Sequence, residues 1–289
     1  MVALQHRLDG PPDAPVLLLN GPLAFGPELW DAEMPALTEH FRVLRYRHRG
    51  CPGADPAPAG PIGVPELTAD VLELLDTLGI ERAHWVGLCM GGLVSLWAAA
   101  HHPGRVETLT TMSTTPKASQ TFADLLGVIS NAMHSNAYKR YHEYGRPFGW
   151  GEHADLVARE GLAAEADQVV KAWFTPDYQA ANPAEVAIVR EAVCAADPEV
   201  YQRICRGLAS RDLTPLLARI EVPLLILAAE EDWSVPPGTS RALTLGVTGS
   251  TRVVVFGAGH LLTRPDSALV TDHVVAHALH RSTAVADLS

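Results

Sequence analysis

Cys89, Asp232 and His260 are the residues of this 289-residue chain whose types and order could perform nucleophilic catalysis. Cys89 sits in Gly87-Leu88-Cys89-Met90-Gly91, after a strand-like run (Ala83 to Val86) and before a helix-like run (Gly92 to Ala100). Strand, tight turn with flanking glycines, then helix is the context of a nucleophile elbow. The elbow holds its central residue in a strained conformation, and the glycines let neighbouring backbone pass close. A helix N-terminus also favours a thiolate, because the aligned peptide dipoles point their positive end at it. Most unpaired cysteines are merely small buried residues, and what favours chemistry here lies downstream. Asp232 follows the strand-like run Leu224 to Ala228, and His260 follows Val253 to Phe256. The order nucleophile, acid, histidine is one of the known triad orders. In that arrangement His260 accepts the thiol proton, and Asp232 fixes the tautomer of the ring and stabilises its positive charge. Glu230 and Glu231 compete for the acid role; the spacing of Asp232 to Pro236 favours Asp232.

An acyl-transfer site also needs donors for the developing oxyanion. One is the backbone N–H of Met90, directly after the nucleophile. The second belongs to the loop Asn20-Gly21-Pro22-Leu23, where Pro22 has no N–H. A donor required at position 22 would be missing, at a cost of about 3 kcal/mol of transition-state stabilisation. In a register one residue later the Leu23 N–H serves.

The elements that position these groups follow from the patterning. Val16 to Leu19, Val43 to Tyr46, Ala83 to Leu88 and Val106 to Met112 are strand-like, and Glu28 to His40 and Val64 to Leu78 have helical spacing. This alternation predicts an α/β fold of βαβ units, with a parallel sheet and helices on both faces. The four prolines between Cys51 and Gly63 predict a loop. From about Ser113 to Ala209 no strand-like run occurs. Helices are expected over Ala118 to Met133, Ala154 to Phe174, Pro183 to Ala195 and Pro198 to Leu208. Strands resume at Pro223 to Ala228 and Thr251 to Phe256, with helices over Leu213 to Ile220, Ser240 to Leu245 and Pro265 to Leu279. The expected organisation is a core of residues 1–112 and 210–281, a helical lid over 113–209, and a tail over 282–289.

Composition narrows the classes of function. Apolar residues make up 47% and charged ones 19%, enough to bury a large core. A net charge of −11 with no Lys/Arg cluster argues against nucleic acid. No apolar run approaches the ~18 residues that span a bilayer, and the N-terminus lacks a signal-peptide layout. The cysteines at 51, 89, 194 and 205 form no disulfide-like or metal-like spacing, which suits a reducing cytoplasm. Thirteen histidines are scattered without HExxH, so no metal is expected. The oligomeric state stays open.

The chain resembles the α/β-hydrolase superfamily and, within it, the 3-oxoadipate enol-lactone hydrolase family. The resemblance rests on Leu29-Trp30-Asp31, Pro35-Ala36-Leu37, His40 to Tyr46, Arg49-Gly50, Leu75 to Ile80, the elbow, Trp173-Phe174-Thr175-Pro176 and Pro236-Pro237. It implies eight mostly parallel strands flanked by helices, an inserted helical lid, attack on a small ester or lactone carbonyl, and no cofactor. The chain departs from the family at the nucleophile, where Cys89 replaces serine. The family's Tyr-Asp-x-Arg-Gly-His-Gly stretch reads here Tyr46-Arg47-His48-Arg49-Gly50-Cys51-Pro52. The acidic residue that tends to precede a proline after the catalytic histidine is absent from Leu261 to Pro265.

The leading expectation is hydrolysis of a carboxylic ester, lactone or thioester through an acyl-Cys89 intermediate. The alternative from the same thioester is an acyltransferase or cyclase that passes the acyl group to an amine, thiol or carbanion. A decayed hydrolase that only binds, and a serine-to-cysteine replacement at 89, are further readings. For the small-molecule substrate, Trp233, Trp150 and Trp173 are the expected aromatic contacts, with Phe174 and the histidines 134, 142 and 153 in the same lid. Arg47, with His48 and Arg49, could bind a substrate carboxylate, or form an ordinary salt-bridged loop.

Overall fold

A computed structural model of the chain describes residues 4–54, 56–57, 59–117, 149–264 and 267–279. Its sheet contains seven strands among the described residues. They are β1 (His6–Asp9), β2 (Val16–Asn20), β3 (Arg42–Tyr46), β4 (Ala83–Leu88), β5 (Val106–Met112), β6 (Leu224–Ala229) and β7 (Thr251–Val255), in the order β1-β3-β2-β4-β5-β6-β7. Only β1 runs antiparallel. Where the resemblance implies eight strands, the described residues hold seven. β1 has no outer neighbour among the described residues, and the chain beyond it, Gly10 to Pro15, holds three prolines that cannot supply ladder donors. Leu17, Leu18, Leu44 and Trp85 are completely buried, as expected of parallel strands covered on both faces.

Helices α1 (Met34–Leu37), α2 (Val64–Thr77) and α3 (Met90–His101) belong to the first half of the fold. The helix expected over 28–40 is broken into a 3-10 turn (Pro27–Trp30) and the single turn α1. Pro35 lacks the N–H that a continuous helix would bond to the carbonyl four residues earlier. Residues 214–219 likewise form a 3-10 turn rather than an α-helix. α3 packs on β4 and β5, with α2 behind it.

Between β5 and β6 the described chain is helical: α4 (Trp150–Trp173), α5 (Pro176–Ala181), α6 (Pro183–Cys194) and α7 (Pro198–Ala209). α4 kinks at Gly161, where φ is 81°, and packs against α6 and α7. The helix expected over 118–133 lies outside the described residues, as do His134, His142 and the tail. Helices α8 (Arg241–Gly246) and α9 (Ser267–Ala278) complete the fold. None of the described helices is long and apolar enough to cross a membrane.

Candidate active site

Cys89 follows the last residue of β4 and precedes α3 with φ 56° and ψ −117°, a conformation that costs a non-glycine residue about 1–3 kcal/mol. The surroundings enforce it. The Cys89 N–H donates to the Met112 carbonyl at 3.0 Å, and the Cys89 carbonyl accepts from Gly92 N–H at 3.0 Å and from the Thr114 hydroxyl at 3.2 Å. Both flanking glycines are sterically required. A Cβ at Gly87 would run into the Gly91 carbonyl, and one at Gly91 into the Asn20 carbonyl.

Asp232 and His260 come from adjacent strands of the same parallel sheet. The loops after β6 and β7 are tied together: Glu230 N–H donates to the Val255 carbonyl, Glu231 N–H to the Ala258 carbonyl, and the Glu230 carboxylate accepts from Gly257 N–H. This bracing leaves Asp232 to meet the histidine. His260 Nδ1 lies 2.8 Å from Oδ2 and 3.0 Å from Oδ1 of Asp232, with both side chains inaccessible to solvent. Val235 N–H also donates to Asp232 Oδ1 at 2.8 Å. Burial by itself lowers the pKa of His260; the Asp232 charge and the sulfur of Cys89 outweigh it and raise the value to about 10. The other ring nitrogen, Nε2, is buried without a direct hydrogen-bond partner among the described residues. Of the three acids weighed from sequence, it is Asp232 that reaches the ring.

The loop after β2 completes the entrance. The Phe25 N–H donates to the Pro22 carbonyl at 3.4 Å, and Ala24 takes φ 73°, so Leu23 and Ala24 form the corner of a turn. Leu23 lines the cavity together with Cys89, and neither the Leu23 N–H nor the Met90 N–H is bonded to any described protein acceptor. Behind the loop, the Tyr46 hydroxyl donates to Asn20 Oδ1 at 2.5 Å, and Asn20 Nδ2 donates to the Ser95 hydroxyl at 3.0 Å. His48 Nε2 sits 3.1 Å from the Tyr46 hydroxyl. Burial lowers the His48 pKa to about 4, opposed by a hydrogen bond with the Gly21 backbone. The Cys51 thiol donates to the Phe25 carbonyl, and burial pushes its pKa up to about 12. Positions 48 and 51 thus serve the loop, not the chemistry.

Cys89 and His260 open on one cavity whose far wall is the helical segment, including Trp150, Glu165, Val169, Trp173 and Tyr201. Its volume is about 80 Å³, several times the roughly 10–15 Å³ that one water needs. Trp150 and Trp173 line it, and Trp233 does not. Trp233 is packed into the core, and Ser234 and Val235 face the cavity in its place. Phe174 and the expected carboxylate-binding residues are also elsewhere. Arg47 pairs with Glu28 and lines a separate outer groove with Phe174, Arg49 forms a two-point pair with Asp70, and His48 is enclosed. The sequence does not single out Glu165 or Tyr201, and His153 stands in it only as one histidine of the expected lid. A signal for Glu165 existed: Glu165, Val169 and Trp173 recur every four residues on one face of α4, so an acid shares an apolar stripe. No group of three or more His, Cys, Asp or Glu able to hold a metal occurs among the described residues.

Comparison with known proteins agrees with this architecture. The alpha/beta hydrolase fold family matches residues 14–263. The 3-oxoadipate enol-lactonase 2 of Acinetobacter baylyi is 29% identical over 260 residues, covering 90% of this chain and 87% of its own. The crystal structure of the enol-lactonase from Burkholderia xenovorans LB400 superposes with a TM-score of 0.82 at 32% identity, covering 96% of each chain. A hydrolase from Pseudomonas aeruginosa PA01 superposes with a TM-score of 0.81 at 29% identity, over 96% of this chain and 94% of that one. A seven-stranded, mostly parallel sheet, a strained residue after β4 and a family match across most of its length make this chain a member of the alpha/beta hydrolase fold family, an enzyme of the hydrolase class with similarity to the enol-lactonases.

Proposed function

We propose that the protein hydrolyses a small carboxylic ester, lactone or thioester through an acyl-cysteine intermediate. One observation carries this reading: Asp232 clamps Nδ1 of His260 and leaves Nε2 unbonded beside the cavity that Cys89 lines. His260 takes the Cys89 proton, and the raised ring pKa favours the imidazolium–thiolate pair. The thiolate attacks the carbonyl carbon, and the N–H groups of Met90 and Leu23 stabilise the oxyanion. Pro22 costs the site no donor in this register. The bond to the leaving group breaks, His260 returns its proton to that group, and the acyl group stays on sulfur. Water then gives a proton to His260 and attacks the thioester, releasing the acid and restoring the thiol. Residues 113–209 act as the lid over residues 1–112 and 210–281. The four unpaired cysteines suit the cytoplasm.

Intact-mass spectrometry of the protein mixed with an aryl ester, a lactone and an acyl thioester tests this reading. A mass gain equal to the acyl group, absent in Cys89→Ala, is the expected result. Turnover undiminished in Cys89→Ala would refute it. Product analysis separates hydrolysis, which yields the free acid, from transfer of the acyl group to an added amine or thiol.

A further inference from the structure

The cavity holds an acid that the acyl-transfer steps above do not use. Glu165, on α4, is completely buried and lines the same cavity as Cys89 and His260. Its Oε1 is engaged: the Tyr201 hydroxyl donates to it at 2.7 Å, and His153 Nδ1 stands 2.7 Å away. Burial, reinforced by the Glu165 charge, raises the Tyr201 pKa well above its ordinary value, so the phenol stays a donor. Glu165 Oε2 has no hydrogen-bond partner among the described residues. A carboxylate oxygen withdrawn from water without a donor is costly, and native structures seldom leave one so. Here the residue lines the cavity that the substrate is proposed to occupy.

We infer that Glu165 is the specificity-determining residue of this site, accepting through Oε2 a hydrogen bond from an N–H or O–H of the substrate remote from its scissile carbonyl. The substrate class is then an ester, lactone or thioester bearing an amide, hydroxyl or ammonium donor. A carboxylate at that point meets a like charge. The described residues that line the cavity include no Lys or Arg, its two histidines are already paired (His153 with Glu165, His260 with Asp232), and the candidate Arg47 is committed to Glu28 outside. Trp150, Val169 and Trp173 supply the apolar walls between the two poles. This inference rests on the acyl-Cys89 reading, from which its failure can be told apart.

The test compares kcat/KM for three p-nitrophenyl esters of similar length: valerate, 3-acetamidopropanoate and hydrogen glutarate. The wild type should prefer the acetamido ester over the glutarate half-ester by at least about tenfold, the scale of one charge-assisted hydrogen bond. In Glu165→Gln the amide oxygen can still accept from Tyr201, while its NH2 replaces Oε2 with a donor. That ratio should invert. A wild type that prefers the half-ester overturns the inference without any variant. So does an unchanged ratio in Glu165→Gln, while valerate turnover and its acyl adduct keep the acyl-cysteine reading intact. Absence of turnover and adduct with all three esters removes both.

Discussion

Trp173 touches His260 twice: its carbonyl accepts the His260 N–H at 2.9 Å, and its ring packs against the imidazole with centroids 4.8 Å apart. The same indole contacts Phe25 of the loop after Pro22, at 5.2 Å between centroids. The last residue of α4 therefore links the helical segment, the histidine loop and the proposed oxyanion loop.

Removing that ring should loosen all three. Trp173→Ala is expected to lose about 3–5 kcal/mol in urea unfolding and to lower kcat more than it raises KM, because the imidazole loses a wall that orients it. Trp173→Phe should recover most of both. Full kcat in Trp173→Ala would show that the ring only fills space.

Asp232→Asn should lower kcat on the order of a thousandfold with little change in KM, since the histidine then adopts the wrong tautomer. Glu230→Gln is the matched control. Glu230 binds the Gly257 N–H and does not reach the ring, so its loss should change kcat by less than about threefold. Steady-state kinetics on one ester reads both, and equal losses would reassign the acid.

Gly91→Ala places a methyl against the Asn20 carbonyl, a backbone atom that cannot rotate away. The expected cost is about 2–3 kcal/mol or more. Gly104→Ala, with nothing within 4 Å, should cost under about 0.5 kcal/mol. Thermal or urea unfolding measures the contrast.

Two buried histidines give stability opposite slopes with pH. His48 is held at about 4, below its unfolded value near 6.5, so the unfolded chain binds the extra proton between those limits. Its contribution is complete above pH 6.5 and is lost as pH falls toward 4. His260 is raised to about 10, so its contribution is complete below pH 6.5 and is lost as pH rises toward 10. Urea midpoints should flatten in the acid window for His48→Gln and in the alkaline window for His260→Gln. Unchanged slopes would contradict these assignments.

The sequence by itself determined the alternation of strands and helices, the elbow at Cys89 and the chain order of Asp232 and His260. Each is a local matter of period, turn chemistry and position after a strand. It did not reveal β1, whose His6–Asp9 is short and mostly polar and pairs along its length with β3. Tertiary structure alone decided that Arg47 serves Glu28, that Trp233 turns into the core, and that Leu23 lines the cavity while Pro22 does not. It also decided that Glu165 and Cys89 line one cavity, although the two lie 76 positions apart along the chain. Local pattern records what a segment prefers to be; which groups face each other depends on packing between segments distant along the chain, which no local pattern encodes.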